Sequence, residues 1–346
     1  MERGVTWPAV LFAREVQHIR LMRNDPSITA ILTTRPAILG LAAGAAYGLA
    51  TRIGLDRLGD ALQVMTIGFV FLVPLTIGYL TVRPVRDASP RYRICAPWVT
   101  CTLVIIGAVV TGLEGAICVV FAAPAMLVMA TLGGLLAHLG SRSRHAAELP
   151  VVLLLPLVSM GLEQRTALPL RQVVTSTQIE IAAPPSVIWP LVVSVDTIRA
   201  AERHRSLFTV VGFPEPIAAT LSHPGIGGVR TASFERGVVF HEAVIVWEPE
   251  RRIRFTIDAR SVPSTALDAH VTIGGPFFDV LTGTYELRPI SPTRTILVLR
   301  SEHRVSTHFN PYAAWWADHI MSSIQDDILH ILRNRAERAA VRTVSS

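Results

Sequence analysis

Four ionisable side chains interrupt otherwise apolar, strand-like runs in the second half of this 346-residue chain: Arg230, Glu242, Glu302 and His303. Glu242 and Glu302 are the pair with chemistry in view. Carried by two strands of one sheet and both turned inward, they would lose water. Burial would then raise their pKa values until one held a proton near neutral pH. Such a pair does general acid–base work. Turned outward, or paired with arginine, the same residues are ordinary ion pairs. His303 follows Glu302 directly, and strand neighbours face opposite sides, so these two cannot share a face. His241, His303 and His308 lack a recognised metal-ligand spacing, and no metal is expected from them. No GxSxG, Walker or GxGxxG element is present. That removes the common acyl-transfer and nucleotide-dependent enzymes and leaves no cofactor implied.

The elements that must position these residues can be read from the pattern. From Ser176 the chain alternates: Thr177, Ile179 and Ile181 are separated by polar or small residues, as in a half-buried strand. Pro184 and Pro185 then suit a helix start, where a missing N–H costs nothing. Pro190 falls inside that helix and predicts its end or a kink. Asp196–Leu207 reads as a second helical stretch with Asp196 as N-cap. Six strands follow, at Ile217–Ser222, Gly228–Arg236, Val238–Trp247, Arg252–Ala259, Val280–Arg288 and Thr295–Val305. Short turns, such as Glu248–Glu250 and Pro289–Pro292, make neighbours antiparallel. A long helix closes the chain, from Pro311 to about Arg338, with Asn310 as N-cap. Trp316, Ile320, Ile324, Ile328, Ile331 and Leu332 form its apolar face. His319, Gln325, Asp326, His330 and Arg333 fall on the other face.

The first half is of a different kind. Mean hydropathy of the whole chain is +0.44, and charged residues are only 17%, against about 25% in ordinary soluble domains. Apolar runs at 36–55, 61–82, 94–112, 115–139 and 149–162 are expected to form about five membrane helices. The last is short: its 14 residues reach only about 21 Å. Residues 1–35 carry five arginines and no signal-peptide pattern. Trp7–Met22 is expected to lie along the membrane surface as a short helix. The charge at Glu114 sits in the two-residue turn of a helical hairpin, where water is close.

Net charge +6 arises from 32 basic residues, all arginine, and 26 acids. The excess lies in the first half, in short loops between apolar runs, which is a membrane-orientation pattern and gives no sign of nucleic acid. Counting arginines in these loops places the N-terminus inside. Five crossings then put the second half outside, in the periplasm or beyond. If 149–162 does not cross, the second half is cytoplasmic. Cys95, Cys101 and Cys118 lie in apolar runs without CxxC spacing and read as small buried hydrophobes.

The order strand, two short helices, six strands and a long helix resembles the START-like, helix-grip superfamily, also called SRPBCC, of polyketide cyclase-like and lipid-transfer domains. IEIAAPPSVIWPLV (179–192) is similar to its opening strand and turn into helix. GIGGVRTASFERG, HEAVIVWEPERRIRF, GTYELRP and SEHRV are similar to its later strands. The resemblance implies an α+β helix-grip domain over 176–340, joined by a linker at 163–175 to the transmembrane bundle, as in bacterial inner-membrane proteins. It further implies an apolar ligand held between sheet and long helix. Trp189, Phe234, Phe240, Trp247, Phe255, Tyr285, Trp316 and Ile320 are the expected liners. Two kinds of function stay open. One is membrane-anchored binding or transfer of a lipid or other apolar small molecule, with the bilayer as partner. The other is a cyclase or dehydratase using Glu242 and Glu302. A third reading is a non-catalytic structural or sensory membrane protein.

Overall fold

The computed structural model describes residues 32–58, 65–140, 148–203, 206–263, 266–267 and 271–344. The expected surface helix at Trp7–Met22 lies outside them. The chain divides into two compact units: Met1–Arg57, Gly68–Ala108 and Pro124–Val158 form one, and Leu58–Ile67, Val109–Ala123 and Ser159–Ser346 form the other.

The apolar helices are α1 (Arg35–Leu58), α2 (Val73–Val82, preceded by a π turn at Gly68–Leu72), α3 (Pro90–Val110), α4 (Ala116–Gly140) and α5 (Glu148–Glu163). Among the described residues, α1, α3 and α4 are the helices long and apolar enough to cross a bilayer by length and composition. In the described part of the uncharged run 61–82 the helical stretch is Gly68–Val82. Its start is held by the Ile67 N–H donating to Glu163 Oε2 at 2.7 Å. That charged acceptor satisfies a backbone group at the first turn, so nothing favours extending the helix backwards.

Within the first unit, small residues let backbones meet. A Cβ on Gly78 would lie 1.9 Å from the Ala130 carbonyl oxygen, and one on Gly133 1.9 Å from that of Leu75. Hydroxyls bond between helices, as Thr81 Oγ1 does to Thr100 Oγ1 at 3.0 Å. Close small-residue contacts and polar bridges are the means of helix association where water offers no drive. Apolar side chains such as Leu103, Val128 and Leu154 stay exposed, an outward face suited to hydrocarbon.

The second unit carries the sheet. Strands β1 (Leu170–Ile181), β2 (Pro216–Leu221), β3 (Val229–Phe234), β4 (Val239–Glu248), β5 (Arg252–Asp258), β6 (Phe278–Ser291) and β7 (Arg294–Ser306) form one antiparallel sheet in the order β1-β7-β6-β5-β4-β3-β2. Helix α8 (Asn310–Val344) packs on β1, β7 and the short helix α6 (Pro185–Val193). A curled antiparallel sheet around a long C-terminal helix is the helix-grip arrangement. Between sheet and helices lies a core built from Ile181, Ile188, Ile253, Leu287, Leu297 and Leu329.

Several local expectations change. Helix α6 continues three residues past Pro190. In so short a helix the proline removes one backbone bond, and its own carbonyl still accepts from Ser194 N at 3.0 Å. Asp196–Leu207 is not a helix: it holds a 3₁₀ turn at Ala200–Glu202, and α7 (Leu207–Val210) starts only beyond it. The segment is instead tied to α8, where Arg335 bonds the Asp196 and Thr197 carbonyls and Glu202 at 2.8–3.1 Å. Asn310 does not cap its own helix. Its Oδ1 accepts from Thr307 N, and its Nδ2 donates to the Pro169 carbonyl. Because β1 starts at Leu170, the 13-residue linker expected from the sequence shrinks to 164–169.

Candidate functional site

Two strand bulges decide which side chains face the helix. In β4 the register against β5 shifts between Val244 and Val246, and in β6 the register against β7 shifts between Val280 and Thr282. Each extra residue, Ile245 and Leu281, resets the alternation. Glu242 and Val244 therefore face inward together with Trp247. Likewise Phe278 and Val280 share the inner face with Gly283 and Tyr285.

Two adjoining apolar cavities lie in the second unit. The inner one, about 130 Å³, runs between the sheet and α8 and is walled by Phe234, Phe240, Phe255, Gly283, Tyr285, Ile324 and Ile328 among others. The outer one, about 110 Å³, lies at the start of α8, between Trp316 and Ala317 on that helix and Phe208, Phe277 and Val305. Ile117, Cys118, Val120 and Phe121, from the first turns of α4, complete the outer wall. Phe213, Leu267, Phe278 and Ile320 border both cavities. Phe121 packs on Trp316 at 5.9 Å and edge-on to Tyr312 at 5.3 Å between ring centroids, and its carbonyl accepts the Tyr312 hydroxyl. Gly283 is required in the inner wall, since a Cβ there would meet Phe255 Cε2 at 2.4 Å.

Six of the eight expected liners border these spaces: Phe234, Phe240, Phe255, Tyr285 and Ile320 the inner, Trp316 and Ile320 the outer. Trp189 and Trp247 do not. They pack edge to face at 5.2 Å within the core, where two large rings bury more surface against each other than against an open space.

Polar groups are few. Arg230 and Glu242 are cross-strand partners, both buried, and form an ion pair. Arg230 Nε also donates to the Val193 carbonyl at 3.3 Å, and its guanidinium lies over the rings of Phe255 and Tyr285. Burial pushes the Glu242 carboxyl above the usual carboxylate range, and the Arg230 charge pulls it back. Neither residue borders a cavity, although Phe255 and Tyr285, over whose rings Arg230 lies, both wall the inner one. Glu302 faces the other side of the sheet. It is 38% exposed and takes Arg254 in a two-pronged bond at 3.0 Å. The two carboxylates are thus on opposite faces and do not form an acid–base pair.

His303 is fully buried on the inner face of β7, against Phe278. Burial pushes its pKa down to about 4, and the Asp318 charge opposes the shift. His241 is exposed, so these two histidines do not converge. Among the described residues no group of three His, Cys, Asp or Glu is placed to hold a metal ion.

No family model matches the chain, and no curated protein does. Solved structures are similar to its C-terminal half. XoxI from Bacillus cereus is 14% identical, with TM-score 0.31, and the match covers 50% of this chain and 98% of that one. Zhui aromatase/cyclase from a Streptomyces strain is 17% identical, with TM-score 0.31, over 49% and 95%. Norcoclaurine synthase from Thalictrum flavum, solved with dopamine and hydroxybenzaldehyde, is 13% identical, with TM-score 0.30, over 47% and 87%.

Sequence reasoning missed Gln325, which it put on the solvent face of the last helix. The residue is 1% exposed and borders the inner cavity. A signal was present: Leu329, Leu332 and Ala336 form a second apolar stripe at helical spacing that includes position 325. Phe208, in the single turn of α7, and Phe213, in irregular chain just after it, were missed for lack of one, because so short a segment shows no periodicity.

Proposed function

We propose that the C-terminal unit binds or transfers an apolar small molecule, a lipid or a similar chain, taken up at the bilayer surface. The observation that carries this reading is the outer cavity. One side is walled by the helix-grip domain, the other by the first turns of α4, a helix long and apolar enough to cross a membrane. A ligand leaving hydrocarbon along α4 would meet Phe121 and Trp316 first, and the inner cavity beyond Ile320. The two small, adjoining spaces suit a slender chain better than a broad ring system.

A second reading, a non-catalytic structural or sensory protein, is favoured by one fact. Neither cavity alone reaches the roughly 300 Å³ of a usual small-molecule site. The two readings separate on one experiment. The full chain is purified in mild detergent, extracted, and the extract analysed by mass spectrometry. An apolar molecule in stoichiometric amount is expected from the wild type. Its amount should fall at least about fivefold in Ile320→Trp, which fills the wall common to both spaces at a stability cost of about 1–3 kcal/mol. A wild-type extract without any such molecule favours the structural reading.

The proposal includes a topology in a bacterial inner membrane. Leu58–Ile67, Val109–Ala123 and the chain from Ser159 belong to one compact unit, which supports placing them on one side of the bilayer. The helical stretches between them then cross in pairs, and α1 makes a fifth crossing. The crossings through Gly68–Val82 and α5 are short, about 22–24 Å at 1.5 Å per residue, and require local thinning. Arginine counts put the N-terminus inside and the domain outside. Reporter fusions after Arg171 and at Ser346 should both read as external; cytoplasmic readouts at both overturn the five-crossing topology.

A further inference from the structure

Buried polar side-chain atoms are nearly always hydrogen-bonded, because an unmade bond leaves the whole desolvation cost standing. Among the described residues, three arginine Nε atoms aside, the exceptions fall on three residues of β7 and α8. They are both ring nitrogens of His303, Nε1 of Trp316 and Oε1 of Gln325. His303 borders neither cavity. Trp316 borders the outer and Gln325 the inner.

The chemistry of these two atoms is fixed. Gln325 Nε2 donates to the Thr175 carbonyl at 3.3 Å and to Ser301 Oγ at 2.9 Å. A carbonyl only accepts, so the amide cannot be turned over, and the free atom is an acceptor. The indole Nε1 of Trp316 only donates. Positions 316 and 325 are nine residues apart on one helix, about 13 Å along its axis and half a turn around it.

We propose that the cavities select an elongated apolar chain with a hydrogen-bond donor at its inner end and an acceptor at its outer end. An alcohol hydroxyl would donate to Gln325 Oε1, and an ester carbonyl would accept from Trp316 Nε1. The ligand class is a hydroxylated acyl ester, and a plain hydrocarbon or a simple fatty ester should bind less well. The inference rests on the reading that these cavities hold an apolar molecule.

Methyl 12-hydroxydodecanoate carries the two groups at opposite ends of its chain. Methyl dodecanoate lacks the hydroxyl, and dodecan-1-ol lacks the carbonyl. Tritiated methyl 12-hydroxydodecanoate is bound to the full chain in nanodiscs and displaced by each unlabelled compound. The bifunctional ester should displace about tenfold better than either relative. Gln325→Met should erase its advantage over methyl dodecanoate alone, and Trp316→Phe its advantage over dodecan-1-ol alone. Equal displacement by all three in the wild type overturns the selection while leaving apolar binding intact, and this comparison needs no variant to fold. Unchanged preferences in both variants also overturn it. No retention of the labelled ester overturns both the selection and the binding function beneath it.

Discussion

Arg230→Met should be the most damaging single substitution in the C-terminal unit. It leaves the Glu242 carboxylate buried without its partner, while the new side chain adds little to the Phe255 and Tyr285 contacts that the guanidinium made. Breaking a buried ion pair from one side costs about 3–5 kcal/mol. For a domain of this size that is a fall on the order of 10 °C in the unfolding midpoint. The double variant Arg230→Met/Glu242→Leu removes both charges and should recover most of the loss, since apolar side chains of similar size commonly replace such pairs at little cost. Thermal unfolding of the purified full chain in detergent, followed by tryptophan fluorescence, measures both. A single variant within about 1 kcal/mol of wild type would show that Glu242 is reached by water. A double variant no better than the single would show that the pair holds β3 to β4 in a way that packing cannot replace.

Acid should weaken the same unit through His303. Its pKa is about 4 in the folded state and about 6.5 in an unfolded chain. The folded value is the lower, so the unfolded chain takes up the proton first as pH falls. Stability is therefore complete above about pH 6.5 and is lost progressively towards pH 4. The gap corresponds to about 3 kcal/mol. Glu242 acts in the opposite sense, because burial raises its folded pKa and protonation there favours the fold. A difference experiment isolates the histidine: denaturant midpoints of wild type and His303→Leu from pH 7 to 4. The wild-type midpoint should drop more steeply across that window. Parallel curves would mean that His303 keeps its ordinary pKa and is hydrated in the fold.

Much of the architecture was legible because it is local. The uncharged runs of the first half announce apolar helices by composition. Pro184 and Pro185 mark the start of α6, and the turn after Glu248 separates antiparallel neighbours; the turn expected at Pro289–Pro292 is tighter, since β6 stays paired to Ser291 and only Pro292 and Thr293 lie between it and β7. The apolar face of α8 follows from the spacing of Trp316, Ile320, Ile324 and Ile328, and all four border a cavity: Trp316 the outer, Ile324 and Ile328 the inner, and Ile320 both. Helix boundaries were less legible. The run 61–82 carries no charge, yet a carboxylate 96 residues away, Glu163, meets the backbone at Ile67 and marks where the helix begins.

The candidate site depends on contacts that no local pattern contains. Strict alternation would set Trp247 opposite to Glu242, and Tyr285 opposite to Val280. Bulges at Ile245 and Leu281 bring each pair to one face, and a bulge exists only where two strands pair out of step. The same limit applies to Glu302: its face follows from its register against Thr282 of β6, which points it towards Arg254 and away from Glu242. Gln325 looks like a solvent residue until Thr175 and Ser301 close over its amide. Residue types and their periodicity therefore determined which elements form and which stripe of the last helix is apolar. Strand register, the partner of each buried charge, and the burial of Gln325 beside the inner cavity were decided by tertiary structure, because each is set by a residue far away in the chain.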